Sequence, residues 1–270
     1  MCVELTRQGA LGVLNLEGVQ CRYDDPNPVL DRIAAVGKEE FVPLMQELYS
    51  QPVREDLIRQ RIAEIKAGGG IAAVSATPVA ALKFGKAIAE AGAELFFVQA
   101  TVVSTEHIGP EGQASLDLEA LCRDFGVPVI IGNCVTYEVA LKLMRAGAAG
   151  VMVGIGPGAA CTSRGVLGIG IPQATAVADC AAARDEHFEA TGRYVPIVAD
   201  GGIVTGGDIC KCLACGADAV MIGSPIARAS EAPGRGFHWG MATPSPVLPR
   251  GTRIKAVSYT HLRAHETVLD

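Results

Sequence analysis

The sequence predicts an α/β protein built on a parallel sheet, and two observations predict it. Short apolar, β-branched runs alternate with longer stretches of helical periodicity along most of the 270 residues, which is the pattern of successive βα units. The composition is 49% hydrophobic but only 5% aromatic, with Gly, Ala and Val abundant. Small residues let helices lie close on strands. The length allows one large domain or two small ones.

Strands are expected at residues 11–16, 71–75, 95–101, 127–132, 150–154, 195–200 and 219–223. Helical stretches lie between them at 56–67, 79–91, 115–124, 136–146, 172–191 and 206–215, and the opening MCVELTRQGA reads as the end of a helix. Three helices run into Ala91-Gly92-Ala93, Ala146-Gly147-Ala148 and Cys215-Gly216-Ala217. A glycine just past the last turn is the expected C-terminal stop. Glycine-rich or polar residues cluster just after strands: Asn133, residues 154–163, Asp200-Gly201-Gly202 and Gly223-Ser224. In a (β/α)8 barrel these would share one mouth, and the last two strands would offer backbone amides to a phosphate. Periodicity alone leaves barrel and open sheet both standing. Only seven strands are visible, so the first strand of a barrel is expected to be missing from this chain.

Composition also excludes classes of function. The formal net charge is −6 and no basic face is evident, so nucleic-acid binding is not expected. No apolar run approaches the ~20 residues of a membrane span, and no signal-peptide pattern opens the chain. Nine cysteines without a regular framework read as reduced thiols of a cytoplasmic protein. Cys210, Cys212 and Cys215 stand close together, but a helix does not converge them on one face, so small buried side chains are expected there. Trp239 is expected either to pack or to border a ligand.

The loop GIGPGAACTSRG, from Gly154 to Gly165, carries the chemistry. A Gly-rich turn after an apolar strand lets a ligand approach closely. It presents Cys161 among the hydroxyls of Thr162 and Ser163 and the cation of Arg164, a setting that can stabilise a thiolate. The other reading is a tight turn with a buried thiol.

Several motifs in this order resemble one family: LGVLNLEG, the NCVT of Asn133–Thr136, GIGPGAACTSRG, GIPQATAVAD, ADGGI, GADAVMIGSP, SEAPGRG and HWGMATP. The chain is similar to IMP dehydrogenase/GMP reductase proteins, and most to the branch of IMP dehydrogenase-related proteins that lacks the regulatory CBS pair. The match covers about residues 1–257. Residues 258–270, SYTHLRAHETVLD, do not continue it and read as a non-native tail, so His261 and His265 are not read as a metal pair. The segment after the first visible strand, RYDDPNPVLDRIAAVGKEEF and a charged helical run, is too short for a CBS module.

The resemblance implies a (β/α)8 barrel, here short of its first strand and of most of its C-terminal flap. It implies that Cys161 attacks C2 of IMP, that hydride leaves to NAD, and that water hydrolyses the thioimidate to XMP in guanine nucleotide synthesis. In the reductase alternative the cysteine displaces ammonia from GMP and NADPH supplies hydride. A third alternative is a nucleotide-binding barrel with little turnover. By the same match, Ser163 and Glu231 would form the relay that activates water. Asp200 would hold the ribose hydroxyls, Gly202, Gly223 and Ser224 the phosphate, and Gly240 and Met241 the base. Gln99, Asn133 and Gly154 would line the cofactor site. The carbonyls of Gly156, Gly158 and Cys161 would bind K⁺. A homotetramer is usual in the family.

Some positions depart from the dehydrogenase pattern. Gln99 stands where an aspartate normally meets the nicotinamide ribose, and Ala159 where a serine helps bind phosphate. The flap's Arg-Tyr pair is not found, which leaves Arg250 or Arg253 as substitutes. The CTSR run suits the reductase as well as the dehydrogenase.

Overall fold

The computed structural model describes residues 1–100, 102–103, 117–240 and 253–256. Helix α1 (Cys2–Arg7) precedes strand β1 (Val13–Asn15). A 3-10 turn over Val19–Cys21 then leads into α2 (Asn27–Ala35), α3 (Phe41–Ser50) and α4 (Glu55–Ala67). From there strands and helices alternate: β2 (Ala73–Ala76), α5 (Pro78–Glu90), β3 (Leu95–Gln99), α6 (Leu118–Asp124), β4 (Val129–Cys134), α7 (Tyr137–Arg145) and β5 (Gly150–Val153). The short α8 (Ser163–Leu167) and long α9 (Gln173–Thr191) follow, then β6 (Ile197–Asp200), α10 (Gly206–Ala214), β7 (Ala219–Met221) and α11 (Ser224–Ala227). A small antiparallel pair, β8 (Phe237–His238) with β9 (Ile254–Lys255), lies beyond.

Strands β1 to β7 form one parallel sheet in sequence order, and all seven coincide with the expected runs. Four helices start at a side-chain cap. Thr77, Asp117, Thr136 and Thr205 each accept a hydrogen bond from the backbone N–H three residues on, and Thr205 with Asp208 closes a capping box. The glycines of the Ala-Gly-Ala and Cys-Gly-Ala stops all take positive φ, as a helix end followed by a strand requires.

The sheet buries both faces, and the alternation of side chains sorts them. Ala73, Phe97, Ile130 and Met152 form an inner cluster with Val13, Leu95, Val198 and Met221. Their neighbours Val74, Phe96, Val98, Ile131, Val151 and Ile197 face outward into the larger core beneath the helices. A curled sheet with its own inner core is the barrel arrangement rather than an open sheet. β1 and β7 each have one strand neighbour, so the described strands make a seven-stranded arc. No eighth parallel strand is among the described residues. Continuing the alternation one step past Phe97 and Val198 brings Gln99 and Asp200 inward at the C-terminal ends of β3 and β6. The mouth of the arc therefore begins where its apolar core ends.

The α2–α3 layer was not legible as a unit. It has its own core of Val29, Leu30, Ile33, Phe41, Met45, Leu48 and Tyr49, with Trp239 packed against it. The Trp239 indole N–H donates to the Tyr49 hydroxyl at 3.0 Å, which assigns that side chain to packing. Arg253 fastens β9 to the same layer. Its guanidinium donates to the carbonyls of Ile33, Ala34 and Val36 at the end of α2 and stacks over Phe41 and Phe237. It is thereby committed to structure, which corrects the expectation that it substitutes in the flap. Arg250 lies outside the described residues. On the far side, Arg184 of α9 donates to the carbonyl of Gly216 (2.7 Å) and to Asp218 Oδ2 (2.9 Å). The same oxygen accepts the Ile197 N–H at 2.8 Å, so one carboxylate locks α9 to the start of β6.

Candidate active site

The mouth is built around Asp200. Its Oδ2 accepts the side-chain amides of Asn133 (2.8 Å) and Gln99 (3.1 Å). Burial pushes this carboxyl above its ordinary pKa, and the two amides pull against that shift. Asn133 is 5% exposed and also donates to the Gly154 carbonyl at 2.9 Å. Three strands, β3, β4 and β6, thus meet at one carboxylate oxygen, and β5 is tied in through Gly154. Gln173, the first residue of α9, adds a second tie by donating to the carbonyls of Val153 (2.7 Å) and Asp200 (3.3 Å). The sequence offered Gln173 only as part of a motif. A glutamine at a helix start, directly after a proline, was the available signal.

The loop from β5 to α8 leans on this assembly. A Cβ built on Gly201 would meet the Pro157 ring at 2.9 Å, and one on Gly202 at 3.2 Å. Only glycine lets the turn after Asp200 approach Pro157 so closely. The Cys161 N–H donates to the Gly158 carbonyl at 3.0 Å and turns the cysteine outward. Cys161 is exposed, which corrects the buried-thiol reading. Its Sγ donates to Ser163 Oγ at 3.3 Å. Arg164 does not face the thiol. Its guanidinium donates to the carbonyls of Ile155 (3.1 Å) and Ile171 (2.6 Å) and clips the two ends of the loop together. Gly240 lies on the other side, where a Cβ would stand 3.4 Å from the Ala160 carbonyl.

At the last described βα turn, Ser224 Oγ lies 3.1 Å from His238 Nε2. Burial lowers the His238 pKa, which favours the neutral ring. His238 was missed in the sequence because a lone histidine on a two-residue strand carries no pattern. Beside Gly201 and Gly202 opens a cavity of about 180 Å³, bordered by Gln173, Asp208 and Lys211.

The structure therefore brings Gln99, Asn133, Gly154 and Asp200 together, packs Gly202 against the loop of Gly156, Gly158 and Cys161, and pairs Cys161 with Ser163. It does not join Ser163 to Glu231, which is exposed and accepts from Ser230 Oγ at 3.0 Å. Met241 lies outside the described residues. On α10 Cys212 is buried and Cys210 exposed, which corrects the expectation of a buried side chain at Cys210; Cys215, just past the helix, is half-buried. The three faces diverge, and no His/Cys/Asp/Glu metal cluster exists among the described residues.

Known proteins share this fold. The model of the IMP dehydrogenase / GMP reductase domain matches residues 1–242. The chain belongs to that family. An uncharacterized oxidoreductase of Mycobacterium leprae (strain TN) is 42% identical over 260 residues, spanning 94% of this chain and 69% of that protein. The inosine-5′-monophosphate dehydrogenase of Haemophilus influenzae is 44% identical over 137 residues, 51% of this chain and 27% of that one. The crystal structure of an IMP dehydrogenase/GMP reductase-like protein from Corynebacterium glutamicum superposes with a TM-score of 0.88 at 38% identity, covering 97% of this chain and 69% of that one. This family member is therefore an oxidoreductase-type α/β barrel protein. Among its described residues no helix is long and apolar enough to cross a membrane.

Proposed function

We propose that this family member oxidises IMP to XMP with NAD, using Cys161 as nucleophile. One observation carries the reading: the exposed thiol of Cys161 sits on a loop whose Pro157 packs directly on the glycine turn after Asp200. A nucleotide whose ribose is held at Asp200 then presents its base towards the sulfur. Asp200 accepts from the ribose hydroxyls, and the turns at Gly202 and at Gly223-Ser224 offer backbone amides and a hydroxyl to the phosphate. Gly240, beside Ala160, leaves room for the base.

The thiolate of Cys161 adds to C2 of the purine, forming a C–S bond; thiolates are strong nucleophiles near neutral pH. The hydride leaving C2 needs an acceptor, which NAD would supply when bound beside Asn133. Water then adds to the same carbon, the C–S bond breaks, and XMP departs with the thiol restored. Ser163 Oγ, within hydrogen-bond reach of the sulfur, is the group placed to accept a proton from that water. Glu231 completes the relay only after a movement that brings it from Ser230 to Ser163.

Two observations bear on the cofactors. Asn133 Oδ1 is buried without a partner, an acceptor that suits an N–H donor on a ligand such as a carboxamide. The Gly158 carbonyl already accepts one N–H and keeps a second lone pair, as a K⁺ site shared with the carbonyls of Gly156 and Cys161 needs.

The test is NADH formation from IMP and NAD in the presence of K⁺, with Cys161→Ala in parallel. NADH that vanishes in the variant supports the reading. NADPH consumption with GMP, and no NADH with IMP, moves the assignment to the reductase. Tight IMP binding with silence in both assays leaves a binding barrel.

A further inference from the structure

The Gln99 side chain crosses the barrel mouth to reach Asp200, two strands away from its nearest neighbour β4, and this geometry has a functional meaning. We infer that Gln99 is a positioning residue for the nucleotide, fixing the Asp200 carboxylate as a one-sided acceptor for ribose hydroxyls, and that it does not serve the dinucleotide half of the site. The inference rests on the nucleotide reading proposed above.

Three observations support it. First, Gln99 and Asn133 donate to the same oxygen, Oδ2, at 3.1 and 2.8 Å. Their donation pins the carboxylate plane, and Oδ1 takes no hydrogen bond among the described residues. A vicinal diol supplies two donors, which the two lone pairs of Oδ1 can accept. Second, the only influences shifting Asp200 are burial, which favours the neutral acid, and these two amides, which favour the anion. Burial is the larger of these influences, and the two amides oppose it by favouring the anion. Third, Gln99 is the last residue of β3 and half-buried, and it commits one of its two amide hydrogens to Asp200. An aspartate at this position would set two carboxylates against each other.

The experiment is IMP binding by calorimetry, without cofactor, to the chain and to Gln99→Met, which keeps the length and removes the donor. A parallel titration uses the 2′,3′-dideoxy nucleotide, which has no ribose hydroxyls. Gln99→Met is expected to weaken IMP about three- to tenfold, the range of one hydrogen bond to a charged partner acting indirectly. It should leave the dideoxy nucleotide unchanged and the KM for the nicotinamide cofactor unchanged. On an Asp200→Asn background the same substitution should have no further effect, because the pair acts as a unit. An equal loss for both nucleotides shows a merely structural role and overturns the inference. So does a rise in cofactor KM with IMP affinity untouched. If the unaltered chain binds neither IMP nor GMP, the proposed function itself falls. If it binds IMP and Gln99→Met binds it equally well, only the role of Gln99 falls.

Discussion

Replacing Gly154 by alanine tests whether the mouth is as tightly set as its geometry indicates. Gly154 has φ +141°, and a Cβ built there would stand 2.2 Å from the Asp200 carbonyl oxygen. Carbon–oxygen contacts settle at about 3.3 Å, so β5 and β6 must part by about 1 Å at their C-terminal ends. Backbone strain of about 1–3 kcal/mol and overpacking of about 1–3 kcal/mol together predict a loss of about 2–6 kcal/mol. For a chain of this size that lowers the melting temperature by roughly 4–24 °C. The same parting pulls the Gly154 carbonyl from Asn133 and moves Asp200 relative to Cys161, and a misplacement of about 1 Å costs roughly 10²-fold in turnover. Gly206→Ala is the control, because nothing lies within 4 Å of a Cβ there and its φ is not positive. Thermal melts and steady-state rates on both variants decide the matter. A Gly154→Ala protein that melts within about 2 °C of the parent and turns over within about threefold of it would refute the claim that β5 and β6 are held in contact at the mouth.

Other outcomes follow from the same structure. Cys161→Ala is expected to abolish turnover while leaving IMP affinity within about twofold, since the thiol lies beyond the groups that hold ribose and phosphate; calorimetry beside a rate assay checks both halves. Asp218→Ala removes the acceptor for Arg184 and for the Ile197 N–H. It should cost about 2 kcal/mol, or roughly 4–8 °C of melting temperature, with Asp218→Asn recovering part of it. His187 and His238 are both held below the ordinary histidine pKa by burial. The unfolded chain therefore takes up protons first, and stability should be complete above about pH 6.5 and fall as the pH drops below it. A series of melts from neutral to mildly acidic pH measures this slope, and His187→Gln should flatten it. A slope of the opposite sign would mean that these rings charge in the fold.

The strands and most helices were legible because each carries its cause locally. β4 is apolar through Val129, Ile130 and Ile131 with a polar Asn133 at its end, and α7 starts at a threonine and stops at a glycine. Cys161 and Asp200 were legible for the same reason, being polar or reactive residues at strand ends beside glycines. What was not legible depends on partners distant in the chain. Nothing near Arg253 announces that its guanidinium will cap α2, some 220 residues earlier. Nothing near Gln99 shows that its amide will meet Asp200, 101 residues on. Arg164 looked like a cation for the thiolate because sequence proximity does not reveal direction. In the fold its side chain turns back to the carbonyls of Ile155 and Ile171. His238 had no periodic context at all and became visible only through Ser224.

The clasp between Arg253 and α2 has a consequence for how the molecule is made. The α2–α3 layer is synthesised early, yet the groups that cover its apolar side, Trp239 and Arg253, come after the whole sheet. Until they arrive, that side has no cover, and the contact joins residues whose separation makes the search slow. During synthesis the layer must wait through the assembly of every later strand, a window in which Phe41 and its neighbours are available to wrong partners.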